Sequence, residues 1–557
     1  MNRHTPSINA TSWSPTQPRQ RVSSFYPFTF LPFLFTFLPF LFTSCLSDHP
    51  NDALNEQQAY SNVTSLELGT VANLYNYIGG HDDSQGLQGT CRGVYDLNTF
   101  TTDEAMLPTR GADWYDGGLW QNLYLHKWTK TDAILYDTWC YLYKVVALCN
   151  QSIEILSNHK EMLGVSRCKA DVAEVRALRA MFYYYIMDLW GNIPVSTSAS
   201  LDANMILQME RSDAFRFIVS ELEETAPLLP NSRSNQQNDY YGRMTRPVAW
   251  FLLAKLYLNT EVYCPDADKA THLDHYKRCV EMCDRLKAAG YQLEANYADC
   301  FSVHNETSIE NIFTIPMDKL IYTNQFFYLF RSRHYSHGSA LGLGAENGAS
   351  ATLTTCRANG YGTVHVDKRW AINFYADSVF TDKGEPVMLP DGDQLVYRPL
   401  EIHLDLTESK YIKTAGARMH KYGVDYTAYA DGKLQSNDIV LFRYADALLM
   451  SAEAKTRLGE DGTGDFNAVR TRAGMPAINL SMMTHDQQLA AILNERLLEL
   501  VWEGWRRNDL IRFGRFHFAY DERPQLKDEP TGYTTIFPIP QTVIDLNPDH
   551  IKQNEGY

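Results

Sequence analysis

From about Asp137 to Ala289, apolar side chains recur at helical spacing in one run after another, and this period, before composition or charge, ties the chain to an α-helical fold. Trp139, Leu142, Tyr143, Val146, Cys149 and Ile153 share a stripe over 137–156. Val172, Val175, Arg179, Phe182, Ile186 and Leu189 share another over 169–189, where Ala173, Ala177 and Ala180 allow close helix approach and Gly191 stops the run. Ser212 is the expected N-cap of a third helix, with Phe215, Ile218, Val219, Leu222 and Ala226 inward and Pro230 ending the unit. Past a polar, turn-rich stretch, Pro247 opens a helix carrying Trp250, Leu253, Ala254, Tyr257 and Leu258, and a further helix over 272–289 closes at Gly290. Trp139 and Trp250 lie within these stripes and read as core.

Over 301–437 the period fails, and glycine- and aromatic-rich stretches alternate with short strand-like runs, the signature of loops lying on a scaffold. Helical order returns at 441–457 and at 485–505, where Thr484 and Gln487 form a capping box. Paired helices with small residues at their crossings are how tetratricopeptide-like units stack. The expected fold is mainly α, a scaffold of such helix pairs with a loop-rich, minor-β second part. The organisation is a leader over 1–44, a helical part over 45–300, and a second part over 301–557 containing the loop-rich insertion 301–437.

The leader is an apolar run from Phe25 to Thr43, preceded by Arg3, Arg19 and Arg21 and followed at once by Cys45 and the polar stretch around Asp48. About 19 apolar residues can just span a bilayer. Pro27, Pro32 and Pro39 argue against a retained span, because repeated prolines remove helix donors. Leu41–Cys45 resembles a bacterial lipoprotein box, which makes Cys45 the expected lipid acceptor; acyl chains contribute about 0.8 kcal/mol per buried methylene and hold a protein to a membrane from outside it. The rest of the chain has no second run long enough to span. It is acidic, with 66 Asp and Glu against 50 Lys and Arg, and lacks a basic stripe, so nucleic acid is not an expected partner. The nine further cysteines cannot all pair, imply no disulfide framework and complete no zinc set, and read as buried free thiols. No cofactor or metal motif appears.

Five segments in order resemble one family: 173–195, 241–258, 441–459, 492–516, and the ending 537–557 with its QN-x-GY terminus. Together they are similar to the SusD/RagB outer-membrane lipoproteins, cell-surface glycan-binding partners of TonB-dependent transporters. The resemblance implies tetratricopeptide-like helix pairs, an oligosaccharide ligand, a SusC-like TonB-dependent transporter as partner, and a lipid-anchored place on the outer membrane facing the medium.

The charged residues of these segments read as structural. Glu495, Glu499 and Glu503 lie four apart, and Glu503 is spaced to pair with Arg507. Glycoside hydrolysis needs two carboxyls facing each other across a sugar, an arrangement that glutamates on one helix do not naturally make. Arg443 and Glu453 read as scaffold partners in the same way.

A sugar offers an apolar C–H face and a polar rim, so its site wants a flat exposed aromatic beside hydrogen-bonding side chains. The Gly-rich stretch 103–129 supplies Trp114, Tyr115, Trp120 and Trp128 with Asp113, Asp116, Gln121 and Asn122; the family resemblance implies a ligand site drawing on this area and on the later insertion, where Tyr361, Arg369, Trp370 and Asn373 are comparable candidates. Each tryptophan competes with a plain packing role, since tryptophans are highly buried on average. Three function classes follow: a non-catalytic glycan receptor that hands its ligand to a transporter, a surface glycoside hydrolase, and a peptide- or protein-binding scaffold.

Overall fold

The structure, a computed structural model, describes residues 56–79, 86–88, 92–200, 206–236, 238–320, 331–381, 383–428 and 434–557. Cys45, the apolar leader and Cys91 lie outside the described residues. Among those described, no helix is long and apolar enough to cross a membrane. The described part belongs to one compact unit.

The helices that carry the scaffold and the site are α1 (Leu119–Tyr124), α2 (Ala133–Asn158), α3 (Val165–Trp190), α4 (Arg211–Thr225), α5 (Arg246–Leu258), α6 (Lys269–Ala288), α7 (Tyr444–Leu458), α8 (Thr463–Arg472), α9 (His485–Leu500) and α10 (Arg506–Arg512). They pack one on the next: α2 on α3, α3 on α4, α5 on α6, α6 on α7, and α7 on both α8 and α9. The scaffold thus draws on chain from both sides of residue 300. Its centre is α3, in which every residue from Ala177 to Trp190 is buried. The single stripe read from the sequence is therefore too narrow; a helix enclosed on all sides needs apolar residues all round. Gly191, at φ 72°, ends α3 in a conformation that glycine adopts without strain.

Local chemistry sets the ends of these helices. The Thr484–Gln487 capping box forms as expected: the Gln487 backbone N–H donates to the Thr484 hydroxyl, and the Gln487 side chain accepts from the Thr484 N–H at 3.0 Å. Four expectations need correction. α4 starts two residues earlier, with Glu210 rather than Ser212 at its N-cap and no side-chain capping bond. Trp250 is half-buried, with Arg285 above its ring, rather than core. The helix expected from Leu441 begins only at Tyr444. The preceding Ile439–Arg443 is a fully buried strand paired antiparallel with Asn311–Ile315, as a β-branched and aromatic run favours. The last long helix stops at Leu500 instead of Trp505: Trp502 and Gly504 take left-handed backbone angles, and the Trp502 N–H donates to Glu104 at 2.8 Å.

The strands described in and beside the loop-rich region form short antiparallel pairs, which we label in chain order: β1 (Ala105–Met106) with β3 (Ser350–Ala351), β2 (Asn311–Ile315) with β8 (Ile439–Arg443), β4 (Phe374–Tyr375) with β7 (Arg418–Met419), and β5 (Asp377–Ser378) with β6 (Val396–Tyr397). The eight described cysteines are free, and all except Cys140 are buried.

Candidate functional site: a loop platform beside a buried ion network

The chain from Arg110 to Gly118 turns sharply enough to need five left-handed residues. Gly111, Gly117 and Gly118 take such angles at no steric cost, but Trp114 (φ 62°) and Asp116 (φ 44°) do so against their side chains. Conformations of this kind persist only where surrounding contacts hold them, and they cluster at functional sites. Here the restraint is dense. Arg110 exchanges backbone hydrogen bonds with Asp113, and its buried guanidinium donates to the Ile412 carbonyl at 2.8 Å, the Ser350 hydroxyl at 3.0 Å and the Ala415 carbonyl at 2.9 Å.

On this base Trp114 is half-buried. Its indole N–H donates to the Glu346 carbonyl at 2.9 Å, and the ring lies so close to Gly348 that a Cβ there would stand 2.7 Å from Trp114 Cε2. Tyr115 beside it is 57% exposed. Asp113 carries a salt bridge with Lys413 at 2.9 Å and accepts from the Tyr335 hydroxyl at 3.2 Å, so one carboxylate joins three loops. Lys413 holds Asp113 below its usual carboxylate range. Asp116 accepts from Arg92 at 2.8 Å and from the Trp120 indole at 2.7 Å. Gln121 donates to the Thr109 hydroxyl, and Asn122 is half-buried on α1. Asp113, Trp114, Tyr115, Gln121 and Asn122 are thus brought together. Tyr335, 45% exposed, and Lys413 join them, although the sequence reading passed over both.

Among the other candidates Trp120, Trp128, Arg369, Trp370 and Asn373 are buried, which corrects the expectation of an exposed ring or a solvent-facing ligand contact at these five. Trp120 is fully buried, edge-on to Phe100 at 5.8 Å and to Trp114 at 6.1 Å, so it supports the platform from below. Trp128 is buried against Phe537 and donates to the Tyr557 hydroxyl at 2.7 Å, pinning the C-terminal residue. Trp370 is buried between Tyr361 at 4.8 Å and Phe374 at 4.4 Å. Asn373 accepts from the Tyr297 hydroxyl at 3.0 Å and donates to the Leu498 carbonyl. Tyr361 remains half-buried, its hydroxyl donating to Asp377 at 2.6 Å.

Arg369 is an interior cation. It bonds Asp367 at 2.8 Å, Glu495 at 2.7 Å and Glu499 at 2.8 Å within a buried network. Arg443 reaches Glu310 at 2.9 Å, Glu499 at 2.5 Å and Glu503 at 2.8 Å; Lys421 adds a contact to Glu503 at 2.5 Å, and Arg472 bonds Glu310 and Glu499. Burial opposes the charge of Glu499, but Arg472, Arg443 and Arg369 outweigh it and hold the carboxyl well below its usual range. The ion-pair reading of these glutamates is right in kind and wrong in partners. Glu503 pairs with Lys421 and Arg443, not with Arg507, which bonds Asp188 at 2.9 Å; Glu453 pairs with Arg457 and Arg512 rather than with Arg443. Each of the three glutamates is already engaged by two or more cations, so no pair of them faces a cleft as acid and nucleophile must.

The sequence model described as the SusD family matches residues 287–557, and one described as starch-binding, associating with outer membrane, matches 88–258. The SusD-like protein P38 of Formosa agariphila is 36% identical over 511 residues, covering 87% of this chain and 90% of that protein. The starch-binding protein SusD of Bacteroides thetaiotaomicron is 25% identical over 434 residues, 69% of this chain and 72% of its own. Among solved structures, surface glycan-binding protein A from Bacteroides thetaiotaomicron in complex with laminarihexaose superimposes with a TM-score of 0.69 at 20% identity, over 88% of this chain and 99% of that one. A laminarin-binding SusD-like protein gives 0.68 at 21% identity, over 89% and 100%. At such identities the structural likeness speaks for the fold, a tetratricopeptide-like helical scaffold.

Proposed function

The chain belongs to the SusD family, and from that premise we propose that it is a cell-surface receptor that captures an oligosaccharide on the Trp114–Tyr115 platform and passes it unaltered to a SusC-like TonB-dependent transporter. The observation that carries this reading is the strained loop itself. A half-buried indole and an exposed phenol are consecutive residues of it, and Asp113, Lys413, Asp116 and Asn122, on the same segment or bonded to it, carry donors and acceptors for sugar hydroxyls. Each ring that stacks on a pyranose contributes about 0.5–1.5 kcal/mol beyond area burial, so affinity has to come from several contacts along one chain. That suits an oligomer better than a single sugar. The rim carboxylates are occupied by Lys413 and Arg92, and the interior ones by arginines, which favours capture over hydrolysis.

Cys45 is proposed as the lipid acceptor, tethering the protein to the outer membrane with its platform toward the medium. Replacing Cys45 with Ala should shift the protein from the membrane fraction to the soluble one; retention in the membrane would contradict the anchor. For capture, the purified protein run through native gels containing laminarin, starch, xylan or galactomannan should be retarded by at least one of them, with no reducing ends released. Uniform mobility in all four, or release of reducing sugar, would overturn the reading.

A further inference from the structure

Beside the buried Trp370, a cavity of about 330 Å³ opens between the turn Trp370–Asn373, the β4–β5 segment and His420. That volume lies at the low end of the roughly 300–1,000 Å³ of ligand sites, enough for one or two sugar rings. On its rim Phe380 is 51% exposed, a large flat ring left in water. The chain bearing it is firmly held: Val379 donates to Leu395 at 3.0 Å and accepts from Val387 at 3.0 Å, and Val379, Val387, Leu395 and Tyr397 form a small core of their own.

The polar groups at the cavity are also fixed. Asp377 is held at a left-handed φ of 59°, with one carboxylate oxygen taking the Tyr361 hydroxyl and the other without a partner among the described residues. Ser378 next to it is exposed. His420 stacks on Tyr375 with ring centres 4.0 Å apart, and its Nδ1 stands 3.1 Å from the Ala371 carbonyl. A carbonyl only accepts, so Nδ1 carries the proton and Nε2 is left as a bare acceptor. Burial pushes the His420 pKa down to about 4, which keeps the ring neutral at pH 7.

We propose that this cavity is a second sugar-binding subsite, apart from the Trp114–Tyr115 platform, that takes a neutral pyranose of a longer chain on Phe380 and receives its hydroxyl protons at Asp377, Ser378 and His420 Nε2. The chemistry selects a neutral sugar. Acceptors dominate the site, so hydroxyl donors are welcomed and a uronate or sulfate would face the Asp377 carboxylate. Only the ligand class rests on the glycan reading above; the position does not.

The test compares retardation of wild type, Phe380→Ala, Phe380→Trp and Trp114→Ala in native gels containing the same four polysaccharides, with thermal melts to confirm folding. The subsite predicts that Phe380→Ala weakens binding by about three- to tenfold, the worth of one lost stacking contact, and that Phe380→Trp restores it. If Trp114→Ala abolishes retardation while Phe380→Ala leaves it unchanged, the platform stands and the subsite falls. If Phe380→Ala weakens binding and Trp114→Ala does not, the subsite stands and the platform falls. A wild type retarded by none of the four overturns both.

Discussion

Glu499 and Asp113 both accept hydrogen bonds from cationic side chains, one in the interior and one on the loop platform, and their surroundings put the same group to opposite uses. Glu499 is fully buried among Arg369, Arg443 and Arg472. Removing one partner of such a network strands charge in a medium that cannot solvate it, so its arrangement is fixed. Asp113 and Lys413 keep 38% and 45% of their side-chain surface in water. A pair of that kind is worth little, about 0–1 kcal/mol, and can trade one partner for a sugar hydroxyl at small cost. The charged motif most conspicuous in the sequence therefore builds the frame, and the weakly patterned loop is the part proposed to bind.

The largest test of that contrast is Arg443→Met, which strips a cation from Glu310, Glu499 and Glu503 at once. Urea unfolding should show a loss of at least about 3–5 kcal/mol, with the remaining folded protein still binding glycan. A change below about 1 kcal/mol would mean that the network is not what fixes the frame.

Next in size is a pH effect at Glu104, a buried carboxyl whose pKa burial raises from 4.5 to about 8 against the pull of the Trp502 N–H. The folded state keeps this proton through a range in which the unfolded chain has lost it. Its contribution is thus complete below about pH 4.5 and is lost as pH rises toward 8, at up to about 1.4 kcal/mol per pH unit. Glu104→Gln keeps an acceptor for Trp502 and cannot ionise, so its stability should vary less than that of wild type between pH 5 and 7.5. Parallel curves for the two proteins would contradict the assignment.

Smaller effects sharpen the platform side. Gly348→Ala should force the Trp114 ring off its seat, costing about 1–3 kcal/mol in overpacking and lowering glycan affinity without removing any sugar contact. Tyr115→Ala should leave stability within about 0.5 kcal/mol and reduce affinity about two- to tenfold, read by calorimetric titration. Equal affinity for wild type and Tyr115→Ala would remove Tyr115 from the site.

How much of this was legible in the sequence follows from the range of the interactions involved. The long helices and the Thr484 cap depend on neighbours within a turn or two, and their period announces them. The break at Trp502 depends on Glu104, which lies 398 residues away, and no local signal predicts it. Distance in sequence hid the platform partners too: Asp113 meets Tyr335 across 222 residues and Lys413 across 300. Composition brought Asp113, Trp114 and Tyr115 into view but could not separate Trp114 from Trp120. Both are tryptophans in one glycine-rich stretch; the first stays half-buried at a left-handed residue, and the second is fully buried on α1.

Calorimetric titration of wild type and of Trp114→Ala with an oligosaccharide cut from whichever polysaccharide retards the protein, run beside a thermal melt of each, tests the central contrast most directly. The account predicts a loss of affinity of about tenfold or more, with the melting transition still cooperative and the buried network intact. Undiminished binding by a folded Trp114→Ala protein would contradict it.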